Sequence, residues 1–189
     1  SAETEAGSRD PRQIDLQFLG QTGAEIVVEH HVGAAAVTAG VQRRVIASSL
    51  QVISGLGKEG LIRVEDGVAP TNHYALTKVW AEDLGEMYAR VHELSVVLVR
   101  IGWFPRNTDE ARHLAQYEHG PSVYFSHGDA AHFFACCVES PSPGPGESLT
   151  VFATSQPTGT PRLDLSPARA TLGYEPRDTW PEGMPFPHK

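Results

Sequence analysis

Residues 40–55, GVQRRVIASSLQVISG, and residues 70–89, PTNHYALTKVWAEDLGEMYA, decide how this chain folds. Val45, Ile46 and Ala47 form a short unbroken apolar run after the turn at Gly40 and Val41. That is the pattern of a parallel strand buried on both faces, and it ends in Ser48 and Ser49. A loop rich in glycine, through Gly55, Gly57, Gly60 and Gly67 to Pro70, leads to a helix predicted from about Asn72 to His92. Before the strand, Ile26, Val27, Val32, Ala34, Ala35 and Ala36 recur at mostly helical spacing, so Ala24 to Thr38 reads as a helix stopped by Gly40.

The same alternation continues toward the C-terminus. LSVVLVRIGWF is a second buried-strand pattern closed by Pro105, and Thr108 to Gln116 reads as a short helix capped by Thr108. HGDAAHFFACCVES reads as a helix stopped by PSPGPG, and LTVFAT as a third strand. SPARATLG reads as a last helix, with Ser166 as N-cap, Pro167 at N1 and Gly173 at its end. Strands alternating with helices argue for an α/β domain with a mostly parallel sheet covered on both faces, whose ligands sit beyond the carboxyl ends of the strands. Residues 1–12 are polar and lack periodicity, so they read as a flexible arm; residues 13–180 read as one domain and 181–189 as a tail.

Composition narrows the function. The chain has 189 residues, 40% of them hydrophobic and 20% charged, enough for a buried core. A formal net charge of −8 and no basic run argue against a nucleic-acid partner. Apolar runs such as Val96 to Val99 fall far short of the roughly 20 residues of a membrane helix, and no signal-peptide pattern is visible, so no membrane partner and a cytoplasmic location are expected. Cys136 and Cys137 are neighbours that rarely reach disulfide geometry and read as packed thiols. The histidines offer no H-x-x-x-H or H-E-x-x-H pair, so no metal is expected. Glu82 and Asp83 read as a solvated helix face.

The chemistry concentrates in Tyr74-Ala75-Leu76-Thr77-Lys78, because a four-residue spacing puts a phenol and an ammonium on one helix face. An ammonium nearby favours a phenolate, which makes a phenol a usable acid or base near neutrality. A hydroxyl from Ser49 could hold a substrate oxygen while that proton moves. Y-x-x-x-K alone occurs by chance in many helices; here it follows a strand ending in Ser-Ser and precedes a further strand.

With these segments quoted, the chain resembles the extended short-chain dehydrogenase/reductase family, in the branch of NAD-dependent epimerases and dehydratases that includes uronate dehydrogenases. Residues 40–55 look like the family's S-S-x-x-V-x-G strand end, and residues 70–89 like its P-x-x-x-Y-x-x-x-K helix. LSVVLVRIGWFP looks like its next strand with the R-I-G-x-x-x-P turn, and ARATLGYEPRD like its L-G-Y-x-P ending. The resemblance spans roughly residues 24 to 180. It implies a partial Rossmann-like, doubly wound sheet and an oxidoreductase or epimerase of carbohydrate metabolism. NAD or NADP would be the cofactor, and a sugar, sugar acid or nucleotide sugar the substrate. It further implies that Ser49 orients the substrate oxygen, Tyr74 is the acid/base, and Lys78 binds the cofactor ribose with Tyr74. Ile101 would border the cofactor, and Ser48, Gln51 and Arg112 would touch the substrate, Arg112 through a carboxylate. FSHGD at 125–129 resembles a family F-S-H-x-D segment, with His127 either a ligand contact or a cap or surface histidine. A homodimer through the helix Tyr74 to His92 is the analogous assembly.

The chain departs from that pattern in three places. The family's opening glycine-rich turn, which receives the cofactor pyrophosphate at a helix N-terminus, is not visible. The nearest candidate, Gly20-Gln21-Thr22-Gly23, has Ile26 where the third glycine belongs. The match instead puts Ala24 to Gly40 directly before the serine strand, so a sheet lacking its first strands is expected. Leu50 and Gln51 replace an Asn-His pair of the uronate branch, and HGPSV before Tyr124 has no counterpart. A noncatalytic binding or assembly module is the alternative function.

Overall fold

The computed structural model describes residues 21–187. The expected arm at 1–12, the segment up to Gly20 and the last two residues of the tail lie outside them. Three strands, β1 (Arg43–Ser49), β2 (Ser95–Ile101) and β3 (Ser148–Ala153), form one parallel sheet in the order β1-β2-β3. Helix α1 (Gln21–Thr38) precedes β1, and α2 (His73–His92) joins β1 to β2. Three helices, α3 (Thr108–Gln116), α4 (Gly120–Val123) and α5 (His127–Glu139), lie between β2 and β3, and α6 (Ser166–Leu172) follows. The parallel α/β architecture read from the alternation is the one found. The candidate turn residues Gln21 to Gly23 belong to the first turn of α1.

Central position explains the sequence of β2. Val96, Val97, Leu98 and Val99 are all fully buried, because both neighbouring strands are hydrogen-bonded to β2 and both faces are covered. Each such side chain contributes about 1.5–3 kcal/mol relative to exposure. Val97 and Val99 face a cluster with Phe125, Phe133, Cys137 and Tyr174, on the side of α5 and α6. Val96 and Leu98 face Ile46, Ala81, Tyr88 and Ala89, on the side of α2. Beyond the strand ends, Val52, Ile53, Ile62, Phe152, Leu163 and Leu165 form a third cluster.

Two helix caps differ from expectation. Helix α3 is capped by Asn107, whose Oδ1 accepts from Glu110 N at 2.9 Å, rather than by Thr108. Helix α6 has Leu165 at its N-cap; Ser166 is the first helical residue and its Oγ donates to Asp164 Oδ1 at 2.6 Å. Gly173 closes α6 at φ 71°, as its position suggests. The unmatched HGPSV segment contributes α4 and returns the chain to the turn after β2. There Trp103 N donates to Val123 O at 2.7 Å, and Phe125 N to Trp103 O at 2.8 Å. No helix among the described residues is long and apolar enough to cross a membrane.

Two measurements check this packing. A Cβ on Gly102 would lie 2.5 Å from Val123 O and 2.7 Å from Thr154 Cγ2, so the backbone itself would have to yield. Gly102→Ala is expected to cost about 1–3 kcal/mol in urea denaturation, and an unchanged midpoint would contradict the close approach. Burial pushes the Cys137 thiol up to about 12 and raises Cys136 by less. A Cys136→Ala variant should therefore show no fast thiol reaction with Ellman's reagent at about pH 8 until denatured.

Candidate functional site

The site is assembled where β1 ends and α2 begins. Ser49 keeps extended backbone at the last position of β1, and its Oγ accepts from Gln51 N at 3.2 Å, capping a 3-10 turn over Leu50–Ile53. The loop that follows is stitched back onto this turn. Ala69 N donates to Val52 O, and Gly55 N to Ala69 O, each at 2.8 Å, while the hydroxyls of Ser54 and Thr71 meet at 2.6 Å. The chain thus returns to β1 before α2 starts. Asn72 caps α2 through Oδ1, which accepts from Ala75 N at 2.8 Å, and its Nδ2 donates to Gln51 Oε1 at 3.3 Å. Side chains from the turn after the strand and from the helix cap are therefore in direct contact.

Tyr74 lies in the first turn of α2 and is 45% exposed. Lys78 sits one turn later, with Nζ 5.5 Å from the Tyr74 ring centroid. The helical spacing read from the sequence does put the amine over the phenol ring. Arg106, in the turn after β2, pairs with Glu110 at 2.6 Å. Glu110 holds its guanidinium above the ordinary value. Arg112 itself is exposed on α3 and pairs with Asp109 at 3.3 Å.

Ser48 occupies a different place from the one expected. It is 3% exposed, and its Oγ donates to Glu82 Oε1 at 2.5 Å, so this hydroxyl is committed inside the protein and not offered to a substrate. Glu82, read as solvated, is 6% exposed and receives a two-pronged bond from Arg100: Nε to Oε1 at 3.0 Å and Nη2 to Oε2 at 2.8 Å. Asp83 beside it is exposed as expected. The four-residue spacing of Tyr74, Lys78 and Glu82 was the sequence signal that this carboxylate lies on the same side of α2 as the other two.

Gln51 is exposed at the site, held by Asn72. Leu50, in place of a polar residue, packs against the third apolar cluster. Ile101 pairs with Ser49 across the sheet but packs on the α5 side. It lines an apolar cavity of about 450 Å³ with Phe104, Phe125, His127, Ala130 and Phe134. His127, the first residue of α5, hydrogen-bonds Pro105 O through Nε2 at 2.9 Å and stacks on Phe104 at 4.2 Å. Of the expected residues, Ser49 ends β1, Gln51 follows it in the turn bonded to the α2 cap, and Tyr74 and Lys78 lie on the first turns of α2. Ser48 is enclosed, Arg112 is exposed on α3, and Ile101, the register partner of Ser49 at the end of β2, lines the apolar cavity on the α5 side.

Comparison with known proteins agrees with this architecture. No family model matches the chain. Among curated proteins it is 34% identical over 109 residues to an NAD-dependent glucose-6-phosphate dehydrogenase of Haloferax volcanii, covering 58% of this chain and 38% of that protein. It is 28% identical over 123 residues to an L-arabinose 1-dehydrogenase (NAD(P)(+)) of the same organism, covering 62% and 46%. Among solved structures, a uronate dehydrogenase from Agrobacterium tumefaciens superposes with a TM-score of 0.68 at 25% identity, over 82% of this chain and 53% of that one. A mutant of the enzyme from that organism was solved with NAD. A glucuronic acid dehydrogenase from Chromohalobacter salexigens gives 0.71 at 23%, over 83% and 55%. The chain thus spans about half the length of these solved structures and less than half of the curated relatives. In its element order and its parallel sheet, this chain is similar to NAD-dependent dehydrogenases of sugars and sugar acids.

Proposed function

We propose that this chain carries the proton-transfer site of an NAD(P)-dependent oxidoreductase or epimerase acting on a sugar, sugar acid or nucleotide sugar. The observation that carries the reading is the Lys78 ammonium 5.5 Å from the ring centroid of the exposed Tyr74, on a helix whose cap is bonded to the turn that follows Ser49. The residues present fit the nicotinamide-ribose end of such a cofactor. Tyr74 and Lys78 offer a hydroxyl and an ammonium, donors suited to ribose hydroxyls, beyond the carboxyl ends of the strands. When bound, NAD(P) accepts or returns the hydride.

Ser49 Oγ orients the substrate oxygen, and the Tyr74 hydroxyl takes or gives its proton. Lys78 stabilises the phenolate that this transfer leaves. Gln51 is exposed beside Ser49 and supplies an amide to a sugar hydroxyl. Arg112 is the proposed contact for a substrate carboxylate. Exposed Trp80 on α2, at 45%, supports a homodimer through that helix.

The test is the appearance of reduced cofactor when the full chain is incubated with NAD or NADP and aldohexuronic acids, aldoses or nucleotide sugars. Tyr74→Phe should lower the rate by about 10²–10⁴-fold, the usual contribution of a positioned acid/base, with no loss of fold because the ring is half exposed. Equal rates in both proteins, or no cofactor binding by titration, would remove the reading.

A further inference from the structure

Three polar side chains that the proposed chemistry leaves unused meet beneath it. Ser48, Glu82 and Arg100 come from β1, α2 and β2, and all three are at least nine-tenths buried. Strand register sets Ser48 directly across from Arg100 on one face of the sheet, and α2 lowers the Glu82 carboxylate between them. One carboxylate thus joins three elements. Stability alone is a poor reason for such a cluster, because replacing a buried ion pair by well-packed apolar residues is often neutral or favourable. Arg100 also keeps Nη1 buried without a hydrogen-bond partner among the described residues, a cost that an apolar residue would not carry.

Position gives a better reason. Glu82 lies one turn beyond Lys78 and two beyond Tyr74 on the same stripe of α2, so its anchorage sets the rotation of that stripe about the helix axis. Ser48 immediately precedes Ser49, so the same carboxylate holds the tip of the strand that carries the proposed orienting hydroxyl. The Arg100 fork adds direction, since two parallel bonds fix the carboxylate plane where one would let it swing.

We propose that Glu82, clamped by Arg100 and bonded to Ser48, is a positioning residue that sets the register of the Tyr74–Lys78 stripe against Ser49. This rests on the function proposed above, and its test is built to be read separately from it. A single 3-fluorotyrosine at position 74 in the full chain reports the environment of that ring by fluorine NMR, and a second protein labelled at exposed Tyr117 serves as a remote control. Glu82→Gln keeps the shape but loses the charge that seats the Arg100 fork. It should shift and broaden the resonance at 74 while leaving the one at 117 in place and far-UV dichroism unchanged. Should Glu82→Gln fail to fold, Ser48→Ala deletes only one hydroxyl and should move the resonance at 74 in the same direction by less. In the reduced-cofactor assay, Glu82→Gln should lower kcat by up to about 10²-fold, the effect of a small misplacement of reacting groups, with a smaller change in the KM for cofactor. A resonance at 74 that stays put in folded Glu82→Gln, or in Ser48→Ala where the former does not fold, overturns the proposal. A resonance that moves in a protein unable to reduce cofactor leaves the clamp standing and removes the function.

Discussion

The seating of α2 on β1 and β2 is the constraint from which the remaining structure follows. At Gly85 the helix comes so close to the sheet that a Cβ would lie 2.7 Å from both Ile46 Cδ1 and Leu98 Cδ2. A larger residue there would have to displace the Ile46 and Leu98 methyls that pack under the helix. Tyr88 and Ala89, one turn further, are buried in the same interface. Because the first turns of α2 carry Tyr74 and Lys78, the depth of this contact also determines how far those groups stand from the end of β1. Apolar packing sets that depth, and the Glu82 carboxylate sets the rotation.

The elements were legible because two periods in the sequence differ so plainly. Runs such as Val96 to Val99 have no polar side to offer, and only a central strand covered on both faces uses such a run. The spacing of Tyr74 and Lys78 on one face was legible for the same geometric reason. What the chain did not disclose were contacts whose partner lies far away in sequence. Glu82 precedes Asp83, and two adjacent carboxylates look like a wet surface until Arg100 arrives from β2 to satisfy one of them. Ser48 and Ser49 are alike in composition, yet alternation along β1 sends one hydroxyl under α2 and leaves the other at the tip. The caps of α3 and α6 were each displaced by one residue, since Asn107 and Asp164 compete for roles that Thr108 and Ser166 could also fill.

The division between enclosed and exposed polar groups follows from where the sheet stops. Among the described residues, Arg43 bonds Ser95 Oγ and the carbonyls of Cys137, Ser140 and Pro143, and Asp129 receives the amides of Arg177 and Asp178. These bonds tie the end of α5 to the strands and the carboxyl-terminal segment to the first turn of α5. Past the last strand residues, the backbone turns away and polar side chains are held by local caps instead. Asn72, Gln51 and the Ser54–Thr71 pair belong to this outer group. A ligand approaching the strand ends meets side chains whose positions are set but whose surfaces are still open to it.

That contrast bears on why a hydroxyl, a phenol and an amine should stand there at all. A proton relay needs groups close enough to exchange a proton yet accessible to a substrate, and a fully buried phenol satisfies only the first condition. Tyr124 and Tyr174 illustrate the buried case. Burial raises both phenols, and their hydroxyls donate to the carbonyls of Glu182 and Thr154 as fixed struts. Tyr74 is instead half exposed, one helical turn before a lysine and beside a turn bonded to its own helix cap. The same residue type thus serves as a strut where it is buried and bonded to a carbonyl, and as a candidate acid/base where it faces an ammonium and open solvent.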